Sequence, residues 1–467
     1  MHLTVSFEAD KEMSRVSVVD VITRLEVGQY GYDTSEWGAK ALATISYTAM
    51  MQKNTELITN FLDIGACERY HHYYHHYYPL YHHYYYHYSN YHHHHHDSVT
   101  QLLGKYATQS RDISAHCCLA IFCLSYASSE LRDFLGMLDA CEFVVHAASM
   151  HIGDSEVSEY SSLAILILAC NNNSNRYKLS QAGACDIIAQ IGNFGFNIRN
   201  HRSSLIARNV CYAIAQLTEA MNASRLIEAG VCELVCELFK VHKDKIIVVS
   251  AAIKAICGLA SLSFPFREAL SRSSACSLII ENLPKFEDKI DMIQEGCEAM
   301  MHLSLNPSNS VILGSVGGCE VIVQYLDKKL MEHPMGVDVC CGALLNLVTY
   351  GETAKKNKLK ILNAGAVDHI RRALASTKAS YRARESALQL LDILGADRIS
   401  GSSSKNNSNN DLVGVVNMKA GPGSSPLAVE KRETYTSFDN LISNSSVSRS
   451  NSRGGHATGH ATGIVEL

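Results

Sequence analysis

The sequence predicts an all-α chain wound as a right-handed α-α superhelix of about eight stacked units. Three observations predict it. Apolar residues make up 47% of the 467 positions and Pro only 7, which favours packed helices over a sandwich or a disordered chain. A short turn recurs along the chain: Gly65-Ala66-Cys67, Ala140-Cys141, Gly183-Ala184-Cys185, Gly230-Val231-Cys232, Ala275-Cys276, Gly318-Cys319 and Gly365-Ala366-Val367. A longer apolar-spaced segment also recurs, ending in motifs such as Ala343-Leu344-Leu345-Asn346-Leu347.

Each unit reads as three helices. The first ends at the turn, where a Gly accepts the positive φ that closes a helix. The second is short and apolar, as in Val231-Cys232-Glu233-Leu234-Val235. The third is long and amphipathic, with apolar residues three and four apart. Its motif has a fourth position, here called the ladder position, at Thr44, Cys123, Ile167, Gln216, Gly258, His302, Asn346 and Leu390. From Cys123 onward the steps are 44, 49, 42, 44, 44 and 44 residues. One unit cannot bury its apolar face alone, whereas stacked neighbours share a continuous core.

The period and the motifs Asn363-Ala364-Gly365-Ala366-Val367 and Ala343-Leu344-Leu345-Asn346-Leu347 resemble the armadillo repeat family over roughly residues 16–396. The resemblance implies a protein-binding array. In family members that grip extended peptides, a ladder Asn holds the partner backbone, and importin-like members add a Trp four residues earlier. Here Asn346 keeps the amide and Gln216 is its nearest substitute. The importin Trp positions hold Lys40, Leu119, Leu163, Tyr212, Lys254, Glu298, Gly342 and Ser386, so an importin-style mode is not expected.

Two segments stand apart from the array of residues 1–396. Residues 69–96 are mostly His and Tyr. Removing those 28 residues cuts the first ladder step, Thr44 to Cys123, from 79 to 51, so they interrupt an otherwise intact unit. Imidazoles bind zinc, copper and nickel. However, Tyr and His codons differ by one base, and no fixed ligand spacing accompanies the run. It is therefore read as a translated tandem repeat. Residues 397–467 are rich in Ser, Asn and Gly, a composition expected to stay disordered.

The sixteen Cys do not form C-x-x-C pairs, so neither a structural zinc site nor any cofactor is expected. Six of them (Cys67, Cys141, Cys185, Cys232, Cys276 and Cys319) share the turn position. Cys118, Cys211, Cys297 and Cys341 lie five residues before the ladder. A small apolar side chain filling a tight helix contact explains this recurrence, and a reducing compartment follows.

No phosphate loop, zinc-protease, nucleophile-elbow, Rossmann or kinase motif is present, so no catalytic residue is assigned and an enzyme is not expected. A net charge of −5 argues against nucleic acid as partner. Lys355, Lys356, Lys358 and Lys360 read as a solvated helix face. No signal peptide, lipidation box or membrane span is evident, which points to a cytoplasmic or nuclear protein. The expected function is a scaffold or adaptor binding one or more proteins along its concave surface. The candidate partner-binding residues are Tyr212, Gln216, Lys254, Glu298, His302 and Asn346. A vacuolar-type tether or an axonemal, cytoskeletal role is the alternative.

Overall fold

In the computed structural model, residues 39–40, 42–43, 46, 99–197, 202–327, 333, 335–375 and 380–395 are described. Thr44, the His/Tyr segment 69–96 and the tail 397–467 lie outside them. Among the described residues there is no strand.

The helices fall into the expected triplets. Third helices are α2 (Arg111–Ala127), α5 (Ser155–Ala169), α8 (Arg202–Leu217), α11 (Ile246–Leu262), α14 (Ile290–Leu303), α17 (Gly336–Thr349) and α20 (Tyr381–Leu394). First helices are α3 (Ser129–Met137), α6 (Asn173–Gln181), α9 (Ala223–Glu228), α12 (Phe264–Arg272), α15 (Pro307–Ser315) and α18 (Ala354–Asn363). Second helices are α1 (Val99–Tyr106), α4 (Ala140–Met150), α7 (Ala184–Asn197), α10 (Val231–Val241), α13 (Ala275–Asn282), α16 (Gly318–Tyr325) and α19 (Ala366–Ala375). Consecutive described third helices pack on one another from α2 to α20, forming one continuous layer.

Local chemistry explains the boundaries. Third helices α2, α5 and α20 start at Ser110, Asp154 and Ser380, whose side chains accept backbone N–H bonds from the first turn. First helices α3, α6 and α15 start the same way at Ser128, Asn172 and Asn306, the last followed by Pro307 at a position that needs no N–H donor. Between first and second helices every described unit places one residue in the left-handed region: Asp139, Gly183, Gly230, Ser274, Gly317 and Gly365, with φ from 62° to 94°. The turn therefore persists in the two units that lack its glycine. In one unit the left-handed residue is Gly317, and Gly318 is already helical.

The core runs through the third helices. In α5 every residue from Val157 to Ala169 is buried, as expected of a helix covered on all sides. Of the fifteen described cysteines all are free, and Cys257 alone is not fully buried. The turn cysteines do more than fill space. The Cys141 Sγ donates to Asn175 O at 3.8 Å, Cys232 Sγ to Phe266 O at 4.0 Å, and Cys276 Sγ to Asn309 Oδ1 at 3.5 Å. Each bond reaches the first helix of the next unit.

A second device between units is absent from the sequence reading. Asn175, Asn222, Asn309 and Asn357, each eight residues before a left-handed turn glycine, are buried. The Asn175 Nδ2 donates back to Arg132 O at 3.2 Å and Asn309 Nδ2 to Arg267 O at 3.0 Å, tying consecutive first helices. Basic side chains add to the ties. Arg132 donates to Ser125 O and Cys170 O, and Lys178 and Lys360 donate to Gly136 O and Gly314 O. Lys358 donates to Ile393 O at 2.5 Å. Two of the four lysines in the basic stretch thus serve backbone carbonyls rather than facing solvent only.

Candidate partner-binding face

The candidate residues lie on α8, α11, α14 and α17, four consecutive third helices. Tyr212, Gln216, Lys254, Glu298 and Asn346 are each partly exposed on this layer, whereas His302 is buried, with 5% exposure. At the other ladder positions Cys123, Ile167 and Leu390 are fully buried. Gly258 has its own cause: a Cβ there would lie 2.8 Å from Thr218 Oγ1 on the preceding unit.

Several of these side chains already hold partners within the chain. The Tyr212 hydroxyl lies 3.5 Å from Ser250 Oγ, and burial raises its pKa. The Lys254 Nζ donates to Glu295 Oε1 at 3.1 Å across the α11–α14 interface, where both side chains are largely covered. The Asn346 Nδ2 donates to Met301 O at 3.0 Å, binding the ladder amide to the preceding unit and leaving its carbonyl oxygen as an acceptor. Gln216 makes no hydrogen bond within the described residues, so its amide is the group most available to a ligand.

The face also carries an acidic, electrostatically strained centre. Burial, with the nearby Glu295 charge, raises the Glu298 pKa, and burial raises that of Glu295. His302 Nε2 lies 3.9 Å from Glu298 Oε1, yet burial, with Arg267 and Arg382 beside it, lowers its pKa to about 4. The imidazole is therefore neutral near pH 7 and the contact is not an ion pair. One helical turn along the neighbouring helix from Lys254 sits Cys257, which the sequence reading passed over. Its position just before ladder Gly258 was the available signal.

Further along the same layer Arg202 bridges two units. Its guanidinium donates to Glu159 Oε2 at 2.5 Å and to Glu156 Oε1 at 3.1 Å, and lies over the Tyr160 ring. Glu159 is 8% exposed, so this pair is held mostly out of water.

Comparison with known proteins agrees with this architecture. No family model matches the chain, and no curated protein does. Among solved structures, one engineered protein is similar over 82% of this chain and 79% of its own, with a TM-score of 0.60 at 16% identity. The chain folds as an armadillo-like helical repeat array. A designed armadillo repeat protein in complex with a (KR)4 peptide covers 54% of this chain and 98% of its own, at 19% identity and a TM-score of 0.44. Computationally designed armadillo repeat proteins for modular peptide recognition match over 55% of this chain and 98% of theirs, at 17% identity and a TM-score of 0.43. No helix of the described armadillo-like array is long and apolar enough to cross a membrane.

Proposed function

We propose that this array is a non-enzymatic scaffold that binds a segment of a partner protein along its third-helix layer. The observation that carries this reading is the run of partly exposed polar side chains Tyr212, Gln216, Lys254, Glu298 and Asn346 on four consecutive stacked helices. Amides offer a donor and an acceptor to a partner backbone, and a Tyr presents an apolar ring with a polar tip. The fifteen described cysteines, all free, support a reducing compartment such as the cytoplasm.

The test is a pull-down from native lysate with two forms of the protein, both lacking residues 69–96 so that the His-rich run does not dominate capture. One form carries Tyr212→Ala, Gln216→Ala and Asn346→Ala. Circular dichroism first establishes equal helicity. Partners lost only with the triple variant support recognition on this face. Identical partner sets sink it and move recognition to the tail or the opposite face.

A further inference from the structure

We propose that Cys257, Glu298 and His302 form a zinc site on the third-helix layer. Their ligand atoms all lie within 4.8 Å of one another, and they come from two adjacent third helices. Glu298 and His302 are one helical turn apart on α14, so both side chains rise from the same face of that helix. Cys257 approaches from α11 across the interface. No other set of three metal-ligating side chains is brought this close among the described residues.

The chemistry of the donors selects the ion. A thiolate, an imidazole and a carboxylate together match zinc, which accepts S, N and O ligands in tetrahedral geometry. Hard cations such as magnesium or calcium would take oxygen ligands only. With metal–ligand lengths of about 2.0–2.3 Å, a tetrahedral centre brings neighbouring donor atoms to roughly 3.3–3.7 Å. The His302 Nε2 to Glu298 Oε1 separation of 3.9 Å is close to that, and small side-chain rotations complete the fit.

The surroundings fit the same reading. His302 is buried yet forms no hydrogen bond with its ring among the described residues, an unusual state for a buried imidazole. Cys257 and Glu298 likewise make no hydrogen bond there. Metal ligation would satisfy all three. The neighbouring cations are otherwise engaged: Lys254 is held by Glu295, Arg382 lies 3.6 Å from Asp338, and Arg267 Nε donates to Ala260 O at 2.8 Å. Zinc with one thiolate and one carboxylate is neutral overall, so a half-buried site can hold it at low electrostatic cost. The Cys257 thiol proton and any proton on Glu298 are released on binding, so affinity rises with pH. Three protein ligands leave a fourth position, and Glu298, with its side chain 25% exposed, marks the open side. The inference concerns the purified chain alone and does not depend on the scaffold reading.

The test titrates cobalt(II) into the full-length protein kept reduced with a phosphine. A tetrahedral cobalt–thiolate centre gives charge-transfer absorption in the near ultraviolet, which the imidazoles of residues 69–96 cannot produce. The expected result is one such site per chain, bleached by added zinc. Cys257→Ser and His302→Gln should abolish the band, and Glu298→Gln should weaken cobalt binding at least tenfold. X-ray absorption of the zinc-loaded wild-type protein checks the same site without any substitution and should show one sulfur at about 2.3 Å. A thiolate band that survives Cys257→Ser, or a zinc shell of nitrogen and oxygen only, overturns the proposal.

Discussion

A Cβ placed on Gly136 would lie 1.8 Å from the Oδ1 of Asn175, the buried amide of the next unit. The same relationship recurs between Gly314 and Asn357, at 2.1 Å. In both cases the missing side chain on one first helix makes room for the amide on the following one. Gly136→Ala and Gly314→Ala should each destabilise the array by about 1–3 kcal/mol through overpacking. Gly153→Ala, where nothing lies within 4 Å, should be neutral or slightly stabilising. Urea midpoints of the three variants check this, and equal midpoints would refute it.

Asn309 links three elements: its Nδ2 holds Arg267 O, its Oδ1 receives the Cys276 thiol, and its backbone N–H caps onto Asn306. Asn309→Ala should cost about 1–3 kcal/mol by leaving buried groups unpaired. Asn309→Asp should cost more, because it buries a carboxylate at the same spot. Chemical denaturation of both, compared with an exposed control such as Ser308→Ala, gives the order directly.

Arg202 and Glu159 are both largely buried and face each other across units. Arg202→Ala leaves Glu159 without its guanidinium and should cost about 3–5 kcal/mol. Replacing both, Arg202→Met with Glu159→Leu, should recover only part of that loss, because Glu159 is also the counter-charge beside the buried Arg208. If the double variant is as unstable as the single one, the ion pair is not the cause.

His302 makes stability depend on pH in a predictable direction. Its folded pKa, about 4, lies below the ordinary 6.5, so between those values the unfolded chain binds the proton more readily. Stability from this group is complete above pH 6.5, falls as the pH drops through that window, and levels off below about 4. The raised pKa values of Glu295 and Glu298 act with the opposite sign, because the folded chain there takes up protons first. Comparing wild type with His302→Gln isolates the histidine. The variant should lose less stability between pH 6.5 and 4, and parallel profiles would count against a buried neutral imidazole.

The cysteines give a chemical check on packing. Burial raises the pKa of Cys117, Cys141, Cys185, Cys232, Cys276, Cys319 and Cys341, and these thiols should resist alkylation in the native state. Cys257 is the one described cysteine whose residue is not fully buried, yet burial, with Glu298 and Glu295 nearby, pushes its thiol well above the ordinary range too. Mass spectrometry after brief native alkylation should find all described cysteines slow to react, Cys257 included, and rapid modification of any of them would count against this packing.

The architecture was legible because its signal repeats. Seven copies of one turn and eight of one ladder motif outvote any single irregular unit, so Asp139 and Ser274 could lack the glycine without hiding the period. Local propensity could not disclose which ladder side chains face solvent. The burial of His302 depends on packing against a neighbouring unit, and Gly258 answers to Thr218, forty residues earlier. The buried asparagines were periodic too, eight residues before four of the turn glycines, but polar residues on a first helix read as solvated until the stack is seen. Cys257 carried only its place beside ladder Gly258 and no metal-ligand spacing. It joins Glu298 and His302 only because the third helices lie side by side.

The turn thiols, the asparagines and the bridging arginines each reach only the adjoining unit. Such a chain should open like a zipper, from its ends or from its weakest seam, rather than all at once. Heat or denaturant would then peel units away in sequence, and one melting temperature would not describe the whole molecule. In amide exchange this would read as a gradient, with the middle third helices α8, α11 and α14 guarded longest. A ligand or ion that clasps α11 to α14 would fasten the zipper at mid-length.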